Sequence, residues 1–204
     1  MQPTILYLIR HGETDWNRQR RSQGREDVPL NEQGIRQAEN CGRALEGIGI
    51  GTVVSSPLQR AAKTARLLAQ HAQAASVIID PDLIERDLGA ASGQVVYSVE
   101  DYFSPFSAAG MEPQEDVSSR MVRALLRWQN ASGPVALISH GMAINALLYE
   151  VSGGQVGSGK TILKNCCVNV LQACDGELKL LACNLAPEEA GPCMQQLFGG
   201  EKPL

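Results

Sequence analysis

Ile5-Leu6-Tyr7-Leu8-Ile9-Arg10-His11-Gly12-Glu13-Thr14 decides how the rest of the chain is read. Five apolar residues in a row, stopped by polar residues and a glycine, predict a buried strand. Arg10 and His11 then fall at its carboxyl end. In open α/β sheets ligands bind outside that end. A guanidinium presents a fixed fork of donors that suits phosphate. A neutral imidazole beside it can attack phosphorus and carry the phosphoryl group.

The same arrangement recurs twice. Thr52-Val53-Val54-Ser55-Ser56 reads as a strand, and Pro57 opens a helix that carries Arg60 in its first turn. Val135-Ala136-Leu137-Ile138-Ser139 reads as another, followed by His140-Gly141 and a helix from about Met142 to Val151. That helix start offers N–H groups that favour an anion. Leu83-Ile84-Glu85 adds a carboxyl group in a similar setting. If these strands share one parallel sheet, two histidines, two arginines and an acid converge.

Working outward, strands and helices alternate. The expected fold is α/β, a three-layer sandwich with a mainly parallel central sheet and helices on both faces. Helices are expected from an Asn31 cap to about Glu46, from Leu58 to about Ala72 and from Glu115 to Asn130. Ser76–Asp80 reads as a strand, and Ile162–Leu171 likewise. Cys166–Gln172 and Leu178–Cys183 read as a hairpin turning at Asp175-Gly176. Residues 1–186 form one expected domain. Residues 187–204, rich in Pro and Gly, are expected to be an irregular tail. Residues 87–119 interrupt the alternation. This stretch holds Tyr97, Tyr102, Phe103 and Phe106 and no Lys or Arg, and its length marks it as functional or flexible.

The chain has 204 residues, of which 44% are hydrophobic, enough for one full core. Its net charge of −4 argues against nucleic acid as a partner. No stretch reads as a membrane span or as a signal peptide. None of the six cysteines forms a C-x-x-C pair, so reduced core thiols of a cytoplasmic protein are expected. Neither a metal nor a cofactor is expected.

Five ordered motifs make the reading more specific: Arg10-His11-Gly12-Glu13-Thr14-Asp15-Trp16-Asn17; Arg21-Ser22-Gln23-Gly24 with Asp27-Val28-Pro29-Leu30; Ser55-Ser56-Pro57-Leu58-Gln59-Arg60; Leu83-Ile84-Glu85-Arg86-Asp87-Leu88-Gly89; and Ser139-His140-Gly141. The chain resembles the histidine phosphatase superfamily in its phosphoglycerate mutase-like branch. The resemblance implies a phosphomonoesterase that needs no metal and acts on a small-molecule phosphate ester through a phosphohistidine. It implies His11 as nucleophile, Arg10, Asn17, Arg60 and His140 as phosphate binders, and Glu85 as acid and base, with Asp87 a possible substitute. It also implies that residues 87–119 cover the site, and Gln23, Gly24, Tyr102 and Phe103 are expected to touch substrate. The aromatic, cation-free stretch from Tyr97 to Phe106 favours a neutral or aromatic leaving alcohol. Of the basic cluster Arg18, Arg20, Arg21 and Arg25, only Arg21 matches the family's pattern; a solvated loop is an equal expectation for the rest. Two positions depart from that pattern: Ser92 replaces an acid, and a Gly-Glu pair is stretched to Gly110-Met111-Glu112.

The main alternative is a cofactor-dependent mutase that returns the phosphoryl group to a second hydroxyl. A non-catalytic binding protein is disfavoured because the histidines, arginines and acid are all present. Gly154-Gln155-Val156-Gly157-Ser158-Gly159-Lys160-Thr161 also satisfies the P-loop pattern. That loop needs a strand before it and a helix after it. Here the expected order is reversed, which favours a plain Gly-rich connection.

Overall fold

A computed structural model describes residues 2–72, 74, 76–96 and 108–198. Its order is β1 (Thr4–Arg10), α1 (Asp15–Arg18), α2 (Glu32–Ala44), β2 (Thr52–Ser55), α3 (Gln59–Ala72), β3 (Val77–Ile79), α4 (Gln114–Leu126), β4 (Val135–Ser139), α5 (Gly141–Val151), β5 (Val168–Cys174), β6 (Glu177–Leu185) and α6 (Pro187–Phe198). The described strands form one sheet in the order β3-β2-β4-β1-β5-β6. The first four run parallel, and β5 and β6 join antiparallel.

Period-two alternation in β1 sorts the core into two layers. Ile5, Tyr7 and Ile9 face one side, with Cys41 of α2, Leu68 of α3 and Met194 of α6. Leu6 and Leu8 face the other, with Met121 of α4 and Leu147 of α5. Helices thus cover both faces, as the alternation of elements requires. Asn31 caps α2 by accepting the Gly34 N–H at 2.8 Å. Asp175 and Gly176 have φ of 50° and 82°, the doubly positive pair that a two-residue hairpin turn needs.

The tail corrects an expectation. Pro187–Phe198 is helical, not irregular. Pro187 lies where the first turn has no use for its missing N–H, and Glu188 and Glu189 suit the positive end of the helix. Ala190 and Met194, four residues apart, are buried, and their packing outweighs the bond that Pro192 removes. The expected strand Ile162–Leu171 begins only at Val168, because Cys166 takes a left-handed φ of 55°.

Candidate active site

The parallel strands bring the motif ends together. Arg10 of β1 lies opposite Ser139 of β4, and β4 also pairs with β2. Beyond the ladder the pairing continues, with His11 N–H donating to Ser139 O and Ser56 N–H to Ile138 O. The chain leaving β1 feeds α2 on one face, whereas that leaving β4 feeds α5 on the other. A cleft opens where neighbouring strands diverge in this way. It is a cavity of about 420 Å³, walled in part by Arg10, His11, Asn17, Arg60 and Glu85.

His11 is 2% exposed, and its Nδ1 lies 2.7 Å from Gly12 O. A carbonyl can only accept, so Nδ1 carries the hydrogen and Nε2 keeps its lone pair. Burial, then the charges of Arg60 and Arg10, hold the His11 pKa well below its usual value, although the Gly12 bond acts the other way. The ring is therefore neutral and nucleophilic at physiological pH. Around it, Gly12 N–H donates to Thr64 Oγ1 at 3.1 Å. Asn165 Nδ2 donates to His11 O at 3.0 Å and to Asn17 Oδ1 at 3.3 Å.

Each arginine is aimed by backbone carbonyls. Arg10 Nη1 donates to Leu163 O. Arg60, wholly buried, donates through Nη2 to Gly24 O at 2.8 Å and through Nη1 to Glu26 O at 2.6 Å. Burial lowers its pKa to about 10, which leaves it charged. The Nε atoms of both arginines are buried without a protein partner among the described residues.

His140 is wholly buried, with Nε2 2.7 Å from Ser56 Oγ and Nδ1 lacking a protein partner among the described residues. Burial, then Arg60, His11 and Arg10, press its pKa well down. Its ring sits behind His11 and is not part of the cavity wall.

Glu85 is also buried, and its place revises the expectation for the α5 N-terminus. Its Oε1 accepts the N–H groups of Arg86 at 2.9 Å and Ala143 at 2.8 Å, and its Oε2 that of Met142 at 3.2 Å. The group at the start of α5 is the protein's own carboxyl side chain. Asp87 points elsewhere, its Oδ1 accepting the Gly89 N–H at 2.9 Å.

Asn17 lines the cavity, but its Oδ1 is engaged in a capping box with Thr14. Gln23 and Gly24 also line it. Gly24 has φ of 50° and a side chain there would press on Leu88, so the loop needs glycine. Ser92, the replacement for an acid, donates to Gln23 O at 3.3 Å. The basic cluster divides. Arg20 and Arg21 reach the cavity wall. Arg18 pairs with Asp15, and Arg25 with Glu112. Arg21 is held by Gly93 O at 2.9 Å and stacks over Trp16. Tyr102 and Phe103 lie outside the described residues.

The P-loop pattern closes on itself. Gly157 N–H donates to Thr161 Oγ1 at 2.9 Å, and Lys160 Nζ to Gly154 O. The loop follows α5 and leads to β5, so no helix starts from its end.

Asn165, Ser56 and Thr64 escaped the sequence reading as site residues. Asn165 forms a polar pair with Lys164 between Leu163 and Cys166, which is a weak signal. The partners of the two hydroxyls emerge only in three dimensions.

A family model described as the histidine phosphatase superfamily (branch 1) matches residues 6–186. The chain belongs to that superfamily. Among its relatives, a Bacillus subtilis protein named "Uncharacterized phosphatase PhoE" is 33% identical, over 92% of this chain and 98% of its own length. "Probable phosphoglycerate mutase GpmB" of Cronobacter sakazakii is 34% identical, over 80% of this chain and 82% of its own. Among solved structures, a mycobacterial glucosyl-3-phosphoglycerate phosphatase superposes with a TM-score of 0.75 at 26% identity, covering 89% of this chain and 99% of its own. The phosphoserine phosphatase of Entamoeba histolytica gives 0.73 at 26%, covering 89% and 96%. The superfamily's fold, with its helix-flanked and mostly parallel sheet, is the one described above. No helix among the described residues is long and apolar enough to cross a membrane.

Proposed function

We propose that this member of the superfamily is a metal-independent phosphomonoesterase that transfers the phosphoryl group of a small-molecule ester to His11 and then to water. The observation that carries the reading is the His11 Nδ1–Gly12 bond, which leaves Nε2 with its lone pair in a ring that feels the charges of the buried Arg60 and the half-buried Arg10. With the Glu85 carboxyl protonated, the Nε2 lone pair attacks phosphorus, the P–O ester bond breaks, and the leaving oxygen takes that proton. Water then attacks the phosphohistidine, Glu85 takes a proton from it, the N–P bond breaks and phosphate leaves. Arg10 and Arg60 neutralise charge on the equatorial oxygens, where the transition state spreads it. His140, whose Nδ1 has no protein partner among the described residues, is a further candidate contact for the phosphoryl group. The buried thiols Cys41, Cys166 and Cys167 support a reducing, cytoplasmic setting.

Rapid acid quench with a radiolabelled substrate tests this. Wild type yields an acid-labile, base-stable phosphoenzyme; His11→Ala does not. Full turnover by His11→Ala rules the mechanism out.

The relatives named as probable phosphoglycerate mutases support a second reading, in which a second hydroxyl takes the place of water. Product analysis separates the two: inorganic phosphate for a phosphatase, an isomeric ester for a mutase.

A further inference from the structure

Arg120 is 7% exposed, yet it touches no wall of the cavity. Its guanidinium grips the Glu112 carboxylate through two bonds, Nε to Oε1 at 2.9 Å and Nη2 to Oε2 at 3.0 Å. Its remaining nitrogen, Nη1, donates to Asp82 O at 2.8 Å and to Ile84 O, immediately before Glu85. Glu112 works on the other side. Its Oε2 accepts the Asp87 N–H at 3.1 Å, its own N–H donates to Asp87 O at 3.0 Å, and its carbonyl accepts Arg86 Nε at 2.7 Å. Arg25 completes the frame, donating through Nε to Glu85 O at 3.2 Å and through Nη2 to Glu112 Oε2 at 3.2 Å. Every residue from Ile84 to Asp87 is thus fixed from this one ion pair or from its neighbour.

We infer that the Glu112–Arg120 pair is a positioning device for the general acid: it fixes the backbone of Glu85 so that its carboxyl meets the leaving oxygen. The inference rests on the reading of Glu85 as acid and base given above. Two independent restraints act on that residue. The N-terminus of α5 holds the carboxyl group, and the ion pair holds the backbone on either side of it. Proton transfer needs hydrogen-bond distance, and a misplacement of about 1 Å can cost about 10²-fold in rate. The bidentate fork is what lets one side chain bind Glu112 and two carbonyls together; a lysine has no such geometry. Burial pushes the Glu112 carboxyl up, but its bonds from Arg120 and the Asp87 N–H outweigh that and hold it below the usual range. The pair therefore stays ionised wherever the enzyme works. A buried ion pair is weak evidence of a stabilising role, because an apolar replacement is often neutral. Its placement, astride the acid, indicates a positioning role.

The test compares an alkyl phosphate, which needs a protonated leaving group, with p-nitrophenyl phosphate, which hardly does. It uses wild type, Glu85→Gln, Arg120→Lys, Glu112→Gln and Arg120→Lys combined with Glu85→Gln. Arg120→Lys is expected to lower kcat for the alkyl ester by about 10- to 100-fold and for p-nitrophenyl phosphate by less than about 3-fold, with KM nearly unchanged. In the Glu85→Gln background the same change is expected to have no further effect on the alkyl ester. Equal losses for both esters in Arg120→Lys, while Glu85→Gln remains selective, overturn the positioning role and leave the acid intact. Equal losses in Glu85→Gln itself overturn the acid assignment, and the positioning role falls with it. Should Arg120→Lys not fold, Glu112→Gln, which keeps the side-chain shape, makes the same comparison.

Discussion

The imidazole rings of His11 and His140 lie with centroids 5.1 Å apart and planes tilted by 58°, at the ends of neighbouring parallel strands. Each sits against Arg10 and Arg60, and each is pressed toward its neutral form chiefly by burial. A second positive ring in this space would face three like charges. The chemistry and the pH dependence of the fold therefore share one cause.

Stability should fall in weak acid because of these rings. Both folded pKa values lie below the unfolded value of about 6.5, so the unfolded chain binds more protons between them. The contribution is fully present above about pH 6.5 and is lost as pH falls below it, by about 1.4 kcal/mol per pH unit for each ring. Urea denaturation at pH 5, 6 and 7 checks this. His140→Gln should flatten the slope by about one ring's share, and an unchanged slope would contradict the assignment.

Arg20 should select the leaving alcohol. It occupies the left-handed position after α1, with φ of 54°, where glycine costs less. Its side chain has no partner among the described residues, yet it lines the cavity. Together with Arg10, Arg21 and Arg60 it gives the wall more positive charge than Glu85 and a phosphate dianion neutralise. Arg20→Ala should raise KM about 10-fold for monoesters whose alcohol carries a carboxylate, and little for p-nitrophenyl phosphate. This departs from the neutral alcohol expected from the cation-free Tyr97–Phe106 stretch; equal KM changes would favour that earlier expectation.

Turnover should survive exhaustive EDTA treatment. The arginines supply the charge neutralisation that a divalent ion provides in other phosphoryl transfers. Loss of activity, restored by one divalent ion, would refute this.

Gly34→Ala should damage both fold and catalysis. An added Cβ would meet Glu13 O at 2.0 Å, in the backbone that follows His11. A cost of about 1–3 kcal/mol with a marked drop in kcat is expected. Gly51→Ala, where nothing lies within 4 Å, is the control and should be nearly neutral. Similar losses at both positions would argue against the close contact as the cause.

The sheet was legible because its strands are short apolar runs with abrupt polar ends. Val135–Ser139 was located to the residue, and the Asp175-Gly176 turn was read from the dipeptide. His11, Arg10 and Arg60 were legible because their motifs sit at or just past those ends; Glu85 follows a 3-10 turn, Pro81–Leu83, and not the strand-like stretch expected, so only its motif pointed to it. Position within the site was less so. That Glu85 takes the N-terminus of α5, or that Ser56 holds His140, depends on pairings between segments far apart in sequence. The tail misled because its Pro and Gly content outweighed a two-residue apolar spacing. Glu112 departs from the family's spacing, and its pairing with Arg120 is visible only in the fold.

The buried Nε atoms of Arg10 and Arg60, two residues of the cavity wall, have no protein partner among the described residues. An oxyanion bound there would bond to groups that the fold itself leaves unmatched. Inorganic phosphate, the product, is then also a folding ligand. At about one hundred times its dissociation constant it would add about 2.7 kcal/mol to the measured stability. A melting temperature taken in phosphate buffer describes the product complex, and the same protein in a zwitterionic buffer should melt lower.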